Sequence, residues 1–329
     1  MSNKDNKQEV TDINNSTINQ AGRDIIIKND SQASSKLWDT FCRGLDMTFE
    51  SLNAFLNSKT EARKYLSMEK AKVDAEVYRR EKLDPYKELL NERIIAREAR
   101  RQQNISDIAG TAYNELKSES SISSTPVDDI WAIRFVNDAE DISDESLKVI
   151  WGKILAGEIK SPGSYSLRAL QTLKNLSKEE ALLFAKACNM AIGYGEYFVI
   201  GNRHETNTGL GLSFDEANLL MEAGLLCPTF DAMDQFTCED GFFSLVYQDY
   251  VIKITYPNHD KATAGVLMFT IAANQLYNIV QKSFDMPYIL RVAGFFKKFG
   301  ATKVEYGKYS KITDEGNINY DDNNLIELQ

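Results

Sequence analysis

Apolar residues recur every three or four positions through most of the first 190 residues, a spacing that predicts helices. The clearest case is the segment 36–56, where Trp38, Phe41, Leu45 and Phe49 fall on one face. A face this aromatic favours packing in a core or against another helix. Binding to a membrane surface is the alternative, but such helices usually carry a polar face rich in Lys and Arg, and here acidic residues share that face.

The segment 58–117 is dominated by Ala, Glu, Lys, Arg, Leu and Gln, which all favour helix. Asp84 and Pro85 interrupt it in the order expected of an N-cap followed by the first helical residue, so a helix restarts there. The apolar positions are sparse and keep no strict heptad. The pattern therefore predicts long, exposed, partly paired helices rather than a two-stranded coiled coil.

A serine-rich link over 118–124 separates these helices from four shorter ones in 125–191. The second of the four starts near Ser143, and the fourth starts with a capping box formed by Ser177 and Glu180. Four helices of this length are sufficient for a compact bundle.

The remainder, 192–329, mixes strand and helix patterns. Strands are predicted at 197–200, 242–256 and 303–312, and helices at 214–223, 270–281 and 287–299. A capped helix at 214–223 followed by strands is typical of winged-helix construction. A winged helix that binds DNA carries basic residues on its recognition helix, whereas this helix carries only acidic ones, so a protein partner is favoured for the module.

The leader, residues 1–30, is rich in Asn, Asp, Gln, Ser and Thr and ends in three isoleucines at 25–27. This composition is compatible with short β-strands and also with a disordered polar segment. A short strand pair is marginally stable alone, so strands here would stack on copies from other chains. The leader is therefore a candidate assembly element.

These patterns predict a mainly α protein with four segments. They are a short β-prone leader (1–30), amphipathic and long charged helices that form a stalk (31–117), a four-helix bundle (125–191) and a mixed α+β winged-helix-like module (192–329).

The chain has 38 Lys and Arg against 48 Asp and Glu, a net charge of −10, which argues against a broad nucleic-acid or anionic-membrane surface. The charge is uneven, because 58–104 holds 13 basic and 9 acidic residues, a local +4 that leaves −14 elsewhere. Arg93, Arg97, Arg100 and Arg101 form a basic strip there. It is either a solvated helix face, a contact for phosphate and hence for nucleic acid, or a contact for acidic surfaces of neighbouring copies.

Signals of compartment and cofactor are few. We find no apolar run as long as a membrane span and no apolar core of a secretion signal near the first residue. The four Cys show no paired spacing, which favours reduced thiols and a cytoplasmic protein. Two His and no Cys-x-x-Cys pair predict no metal and no cofactor.

One set of residues offers a catalytic alternative. Glu158 and Lys160 have the Glu-x-Lys spacing of a metal-dependent nuclease half-site, and Asp144 lies upstream. The two carboxylates would hold the metal, and the lysine would orient the attacking water. Such residues normally lie on adjacent strands, whereas these belong to a helical region, so a structural role is preferred and the nuclease remains the alternative.

The segment 151–168 reads WGKILAGEIKSPGSYSLR. With the upstream RRQQNI at 100–105, it resembles a family of uncharacterised bacterial proteins that share a domain of unknown function, over roughly residues 60–300. That family carries Trp-x-x-Ile-Leu-Ala-Gly-Glu followed by Pro-Gly-Ser-x-Ser-Leu-Arg, and the resemblance implies no activity. The matching positions, with a binding or structural role, are Trp151, Gly157, Glu158, Pro162, Gly163, Ser164, Ser166 and Arg168.

The leader has a resemblance of its own, because residues 14–27, which include INQAGRDI, are similar to leaders of bacterial phage-defence proteins. We therefore expect a cytoplasmic, self-assembling bacterial protein that acts through protein–protein interaction, with a role in phage defence. It would form a homo-oligomer through the leader and the long helices, and its last module would bind a protein partner. A nuclease and a nucleic-acid-binding protein are the alternatives.

Overall fold

A computed structural model describes residues 32–45, 85–117, 119, 121–201, 210–228, 233–238, 240–257, 261–313 and 317–328. The leader and residues 46–84 lie outside these ranges. The predictions for the leader, for most of the segment 36–56 and for the first part of the long helices therefore fall outside the described residues. The chain divides into two compact units, Met1–Leu167 and Arg168–Gln329.

The described part of the first unit is helical. It contains α1 (Gln32–Leu45), α2 (Pro85–Leu116), α3 (Asp129–Ala139) and α4 (Glu145–Lys160). The helix predicted to restart at Pro85 is thus present, and it runs without interruption to Leu116. The second half of α2 packs along α4, and α1 packs against α3.

The core of the first unit is aromatic and aliphatic. Its largest fully buried side chains come from all four helices and are Leu37, Trp38, Phe41, Ile105, Ile108, Phe135, Trp151 and Ile154. A glycine on α4 permits the close approach of α2, since a Cβ at Gly152 would lie 2.5 Å from Thr111 Cβ. Shape at that contact, and not only apolar content, determines how the two helices meet.

Side-chain caps explain where several helices begin. The Asp128 carboxylate accepts from the Trp131 N–H at the start of α3, and the Asp144 carboxylate accepts from two N–H groups at the start of α4. The capping box of Ser177 and Glu180 is confirmed, because each side chain bonds the other residue's backbone N–H. These caps satisfy N–H groups that a helix leaves free at its first turn.

The second unit contains both helices and strands. Its helices are α5 (Leu167–Asn175), which begins at the boundary, α6 (Lys178–Met190), α7 (Phe214–Glu222), α8 (Ile271–Tyr277) and α9 (Met286–Lys298). Its strands are β1 (Ile192–Tyr194), β2 (Glu196–Ile200), β3 (Met233–Thr237), β4 (Phe242–Tyr247), β5 (Tyr250–Thr255), β6 (Lys261–Met268), β7 (Lys303–Ile312), β8 (Ile318–Tyr320) and β9 (Ile326–Glu327).

The strands form two antiparallel sheets. One has the order β1-β2-β6-β3, and the other has the order β4-β5-β7-β8, with β9 also paired to β7. The helix α9 covers one face of the second sheet, where the Phe243 and Phe296 rings meet edge to face at 5.5 Å. A short 3₁₀ turn at Asp322–Asn324 precedes β9.

The prediction of a mainly α protein with a winged-helix-like module is wrong. Two antiparallel sheets occupy much of the second unit, and the strands that follow α7 belong to both of them. The sequence pattern predicted strands at β2, across β4 and β5, and at β7, but not at β1, β3, β6, β8 or β9. The β6 segment, KATAGVLM, contains Ala and Gly, which have low strand propensity, and its pairing with β2 and β3 supplies the missing stability.

Candidate functional site

Residues 151–168, which carry the family resemblance and which we call the signature segment, form the last part of α4 and the turn that follows it. The Glu158 side chain is buried, at 2 % exposed, and its two oxygens accept hydrogen bonds from the Gly163 N–H (2.6 Å) and the Tyr165 N–H (2.9 Å). Gly163 has φ +90°, a left-handed conformation that favours glycine. Glu158 therefore holds the turn in shape by accepting its otherwise unpaired backbone donors.

The charge of Glu158 is only partly compensated. Burial raises the pKa of Glu158, and this effect exceeds the opposing effects of the turn N–H groups and of Lys36. Lys36, on α1, donates to the Ser123 carbonyl oxygen at 2.9 Å. Burial lowers the pKa of Lys36, and the nearby charge of Glu158 offsets this in part.

The other signature residues also shape this region. Trp151 is fully buried and packs against the Phe135 ring at 5.3 Å. A Cβ at Gly157 would lie 2.7 Å from Tyr165 Cε2, so the Tyr165 ring requires glycine at that position. The Ser164 hydroxyl donates to the Ser161 carbonyl oxygen at 2.6 Å. Arg168 lies in α5, in the second unit.

A pocket of about 590 Å³, which we call the signature pocket, opens beside this turn. Glu158, Pro162, Gly163 and Ser166 of the signature contribute to its lining. The remainder comes mainly from the start of α3 and from α1.

Sequence analysis did not identify the other residues of this pocket, which include Arg43, Asp128, Asp129, Trp131 and Tyr165. The Trp131 Nε1–H donates to the Tyr165 carbonyl oxygen at 2.7 Å, which joins the start of α3 to the turn. The Arg43 guanidinium donates from Nη1 to Asp129 (2.6 Å) and to the Val127 carbonyl oxygen (2.7 Å). The only signal in the sequence was the capped start of α3, because a contact across 34 residues leaves no local pattern.

The structure does not bring the three nuclease candidates together. Asp144 caps the start of α4, whereas Glu158 and Lys160 lie near its end. Fourteen residues of helix separate the two carboxylates by about 21 Å. The Lys160 ammonium lies 2.8 Å from Glu119. In the part of the chain that the structure describes, no group of three His, Cys, Asp or Glu residues has an arrangement that could hold a metal ion.

The basic strip on α2 is only partly available for external contacts. Arg101 bonds both oxygens of Asp141, at 2.8 and 2.9 Å, and also lies 3.1 Å from Glu140. The guanidinium of Arg101 lowers the pKa of Asp141. Arg97 lies 3.1 Å from Glu98, and Arg93 and Arg100 are exposed. The strip thus divides into one arginine that anchors α2 and three that face solvent.

The first half of α2 also exposes apolar side chains. All twelve residues from 89 to 100 are exposed, and they include Leu89, Leu90, Ile94 and Ile95 at 43–67 %. Leu90 and Ile94 lie on the same side of the helix as Ile105 and Ile108, which are buried in the core of the first unit. The apolar side of α2 therefore extends beyond the core that covers its second half.

Comparison with known proteins identifies one family. Residues 88–293 match the family described as "Protein of unknown function (DUF2806)". The match begins inside the exposed half of α2 and includes the signature turn, the whole of the first sheet, and β4 and β5 of the second sheet. The strands β7, β8 and β9 lie beyond it. No curated protein and no solved structure matches the chain. Among the described helices, none is long and apolar enough to cross a membrane.

Proposed function

The chain belongs to the DUF2806 family of proteins of unknown function, and from this premise we propose that it is an assembly protein that self-associates through the first half of α2. The observation that carries the proposal is the exposure of Leu89, Leu90, Ile94 and Ile95. Apolar side chains grouped at this density on a surface mark interaction sites more often than solvent-facing helix.

The length of α2 supports the same conclusion. The helix has 32 residues, about 48 Å, and the described core covers only its second half. The uncovered first half is only about half of that length, and an isolated helical segment so short is marginally stable in water unless its apolar face is packed. A partner that covers the first half would therefore stabilise helix and interface together.

Burial of these side chains supplies substantial free energy. Full burial of a Leu or Ile side chain contributes about 1.5–3 kcal/mol. Association opposes this with a cost of about 4–15 kcal/mol in lost freedom of motion. Two or more such side chains per copy are therefore needed, and α2 offers four.

The two alternatives have weaker geometric support. A nuclease would need Asp144 beside Glu158, and the two lie at opposite ends of α4. Nucleic-acid binding through the basic strip would have to use Arg93, Arg97 and Arg100, since Arg101 is already bonded to Asp141, and the net charge of −10 opposes it. Self-association uses the exposed apolar residues, which neither alternative explains.

The double variant Leu90→Ser/Ile94→Ser tests the proposal. We expect it to lower the solution mass, measured by light scattering at a fixed concentration, towards that of a single chain of 37.2 kDa. The reason is that a serine pair removes two of the four apolar side chains that we place in the contact.

The matched control is Leu182→Ser/Ile271→Ser, which replaces two apolar residues of the second unit that are 65 % and 73 % exposed. This variant should keep the mass of the unaltered protein. A mass that is unchanged in Leu90→Ser/Ile94→Ser, or lowered equally in both variants, would contradict the proposal. Circular dichroism on both variants separates loss of association from loss of folding.

We further propose a bacterial, cytoplasmic setting and a role in phage defence, with a protein partner for the second unit. The signature supports the bacterial source, and the free thiols of Cys42, Cys188, Cys227 and Cys238 are typical of a reducing compartment. The resemblance of residues 14–27 to phage-defence leaders supports the role. Phage plaque counts on cells that express the chain with and without residues 1–30 test this setting.

A further inference from the structure

The exposed half of α2 has a basic side as well as an apolar one. Arg93, Arg97 and Arg100 fall within about 60° of one another around the helix axis, with Leu89 and Leu90 close to the same side. All five side chains are exposed, and we call them the donor face. Its partner should present both carboxylates and apolar surface.

The signature pocket has the complementary chemistry. Asp128, Asp129 and Glu158 lie in its lining, against the single guanidinium of Arg43. The Asp128 carboxylate caps α3 and the Glu158 carboxylate is buried against the turn, so Asp129 is the acidic group of the pocket that a partner can reach. That guanidinium is already bonded, at 2.6 Å to Asp129 and at 2.7 Å to the Val127 carbonyl oxygen. The Asp129 side chain is nevertheless 68 % exposed, and Leu167 adds apolar surface at the edge of the pocket.

We propose that the donor face of α2 docks on a second copy of this chain, at the signature pocket of that copy, with Arg93 and Arg100 directed towards Asp129. The inference rests on the proposed self-association and specifies the surface that receives α2. Charge complementarity identifies the occupant. Copies that each carry a net charge of −10 repel one another, and residues 85–101, with five basic and three acidic side chains, offset that repulsion locally.

The proposed contact joins two different surfaces, so it is a head-to-tail contact. Each copy offers one donor face and one pocket, and such contacts generate rings or open filaments rather than closed two-fold dimers. This geometry predicts that two variants, each damaged in a different surface, associate when they are mixed. A symmetric contact between two α2 helices would not predict this result. A copy without its donor face still has a pocket, and a copy without its pocket still has a donor face.

Two charge variants of the full chain test the contact. Arg93→Glu/Arg100→Glu removes the donor charge, and Asp129→Lys reverses the charge of the pocket. We expect each variant alone to have the mass of the unassociated chain in light scattering. An equimolar mixture of the two should recover association, with particles of at least twice that mass. The unaltered donor face of one variant can dock on the unaltered pocket of the other, and the two reversed surfaces also carry opposite charges. Recovery in the mixture also shows that both variants are folded.

The control is Lys178→Glu/Lys298→Glu, which changes the net charge by about −4, as Arg93→Glu/Arg100→Glu does, at two exposed lysines of the second unit. It should associate like the unaltered protein. If the charge variants keep the full mass while Leu90→Ser/Ile94→Ser loses it, self-association stands and the pocket is not its acceptor. If each charge variant loses mass and the mixture does not recover it, the head-to-tail contact is overturned.

Two other occupants of the donor face have their own outcomes. If the unaltered protein carries nucleic acid that Arg93→Glu/Arg100→Glu loses, and nuclease treatment lowers the mass, then nucleic acid occupies the face and the proposal is overturned. If that variant keeps its mass but unfolds at a lower temperature than the control, another part of the same chain covers the face, which also overturns it.

Discussion

At the scale of single residues, Glu158 shows what the signature encodes. The sequence is compatible with two roles for Glu158, as a metal ligand and as a structural residue, and it favours the structural role. The structure buries its carboxylate against the Gly163 and Tyr165 N–H groups. The sequence could predict that the turn matters, because Pro162 and Gly163 are turn residues. It could not predict the two hydrogen bonds, because they depend on how the turn, five and seven residues further along the chain, folds back to the Glu158 carboxylate.

The buried carboxylate has a pH-dependent effect on stability. In the folded chain the pKa of Glu158 lies above its ordinary value of 4.5, mainly through burial, so the folded state binds this proton more tightly than the unfolded state. The contribution of Glu158 to the free energy of unfolding is therefore largest below pH 4.5 and falls as the pH rises through the raised pKa. Relative to Glu158→Gln, the unaltered protein should therefore lose stability as the pH rises above 4.5.

Urea unfolding followed by tryptophan fluorescence measures this difference, because Trp38, Trp131 and Trp151 all lie in the first unit. Asp141→Asn is the matched control in the same unit. Its bond to Arg101 lowers the pKa of Asp141, so its contribution is present above the ordinary value of 3.8 and is lost as the pH falls. A difference of the same sign for both variants would show that burial does not dominate at Glu158.

At the scale of elements, helix starts were the most predictable feature. Helices begin at Pro85 and after the capping residues Ser177 and Ser213, as the sequence predicts, since a helix start depends on a few neighbouring residues only. Strands were less predictable, because the stability of a strand depends on its partners. The central strand β6 has little strand propensity of its own and is held between β2 and β3. The prediction of a mainly α fold failed for that reason.

The contact between α2 and α4 supplies a prediction at this scale. A Cβ at Gly152 would lie 2.5 Å from Thr111 Cβ and 3.0 Å from the Ile108 carbonyl oxygen, so Gly152→Ala must push the two helices apart. We expect it to lower the free energy of unfolding by about 1–3 kcal/mol, measured by thermal unfolding with circular dichroism.

Gly294→Ala is the matched control for this substitution. A Cβ at Gly294, in α9, meets nothing within 4 Å, so this change should leave stability equal or raise it by up to about 1 kcal/mol through helix propensity. Equal effects of the two substitutions would mean that the helix approach at Gly152 does not limit packing.

At the scale of the whole molecule, the sequence shows that the charge is uneven, but it does not show which of the basic side chains are available for contacts. The basic strip could be counted from residues 58–104. Which arginines are available depends on the fold, because Arg101 anchors α2 to the loop between α3 and α4 through Asp141. The signature pocket was also beyond the sequence, since α1, the start of α3 and the turn after α4 combine to form it. The proposed assembly thus depends on surfaces that only the folded chain creates.

The leader, as a sequence-based candidate, gives the last prediction. If residues 1–30 stack on copies from other chains, their deletion should lower the number of chains per particle in light scattering, and it should remove protection from phage in plaque counts. Replacement of Ile25, Ile26 and Ile27 by serine in the full chain should have the same effect, because strand pairing requires their side chains, whereas a disordered leader would tolerate the change. Unchanged assembly after the deletion would leave α2 alone responsible for self-association.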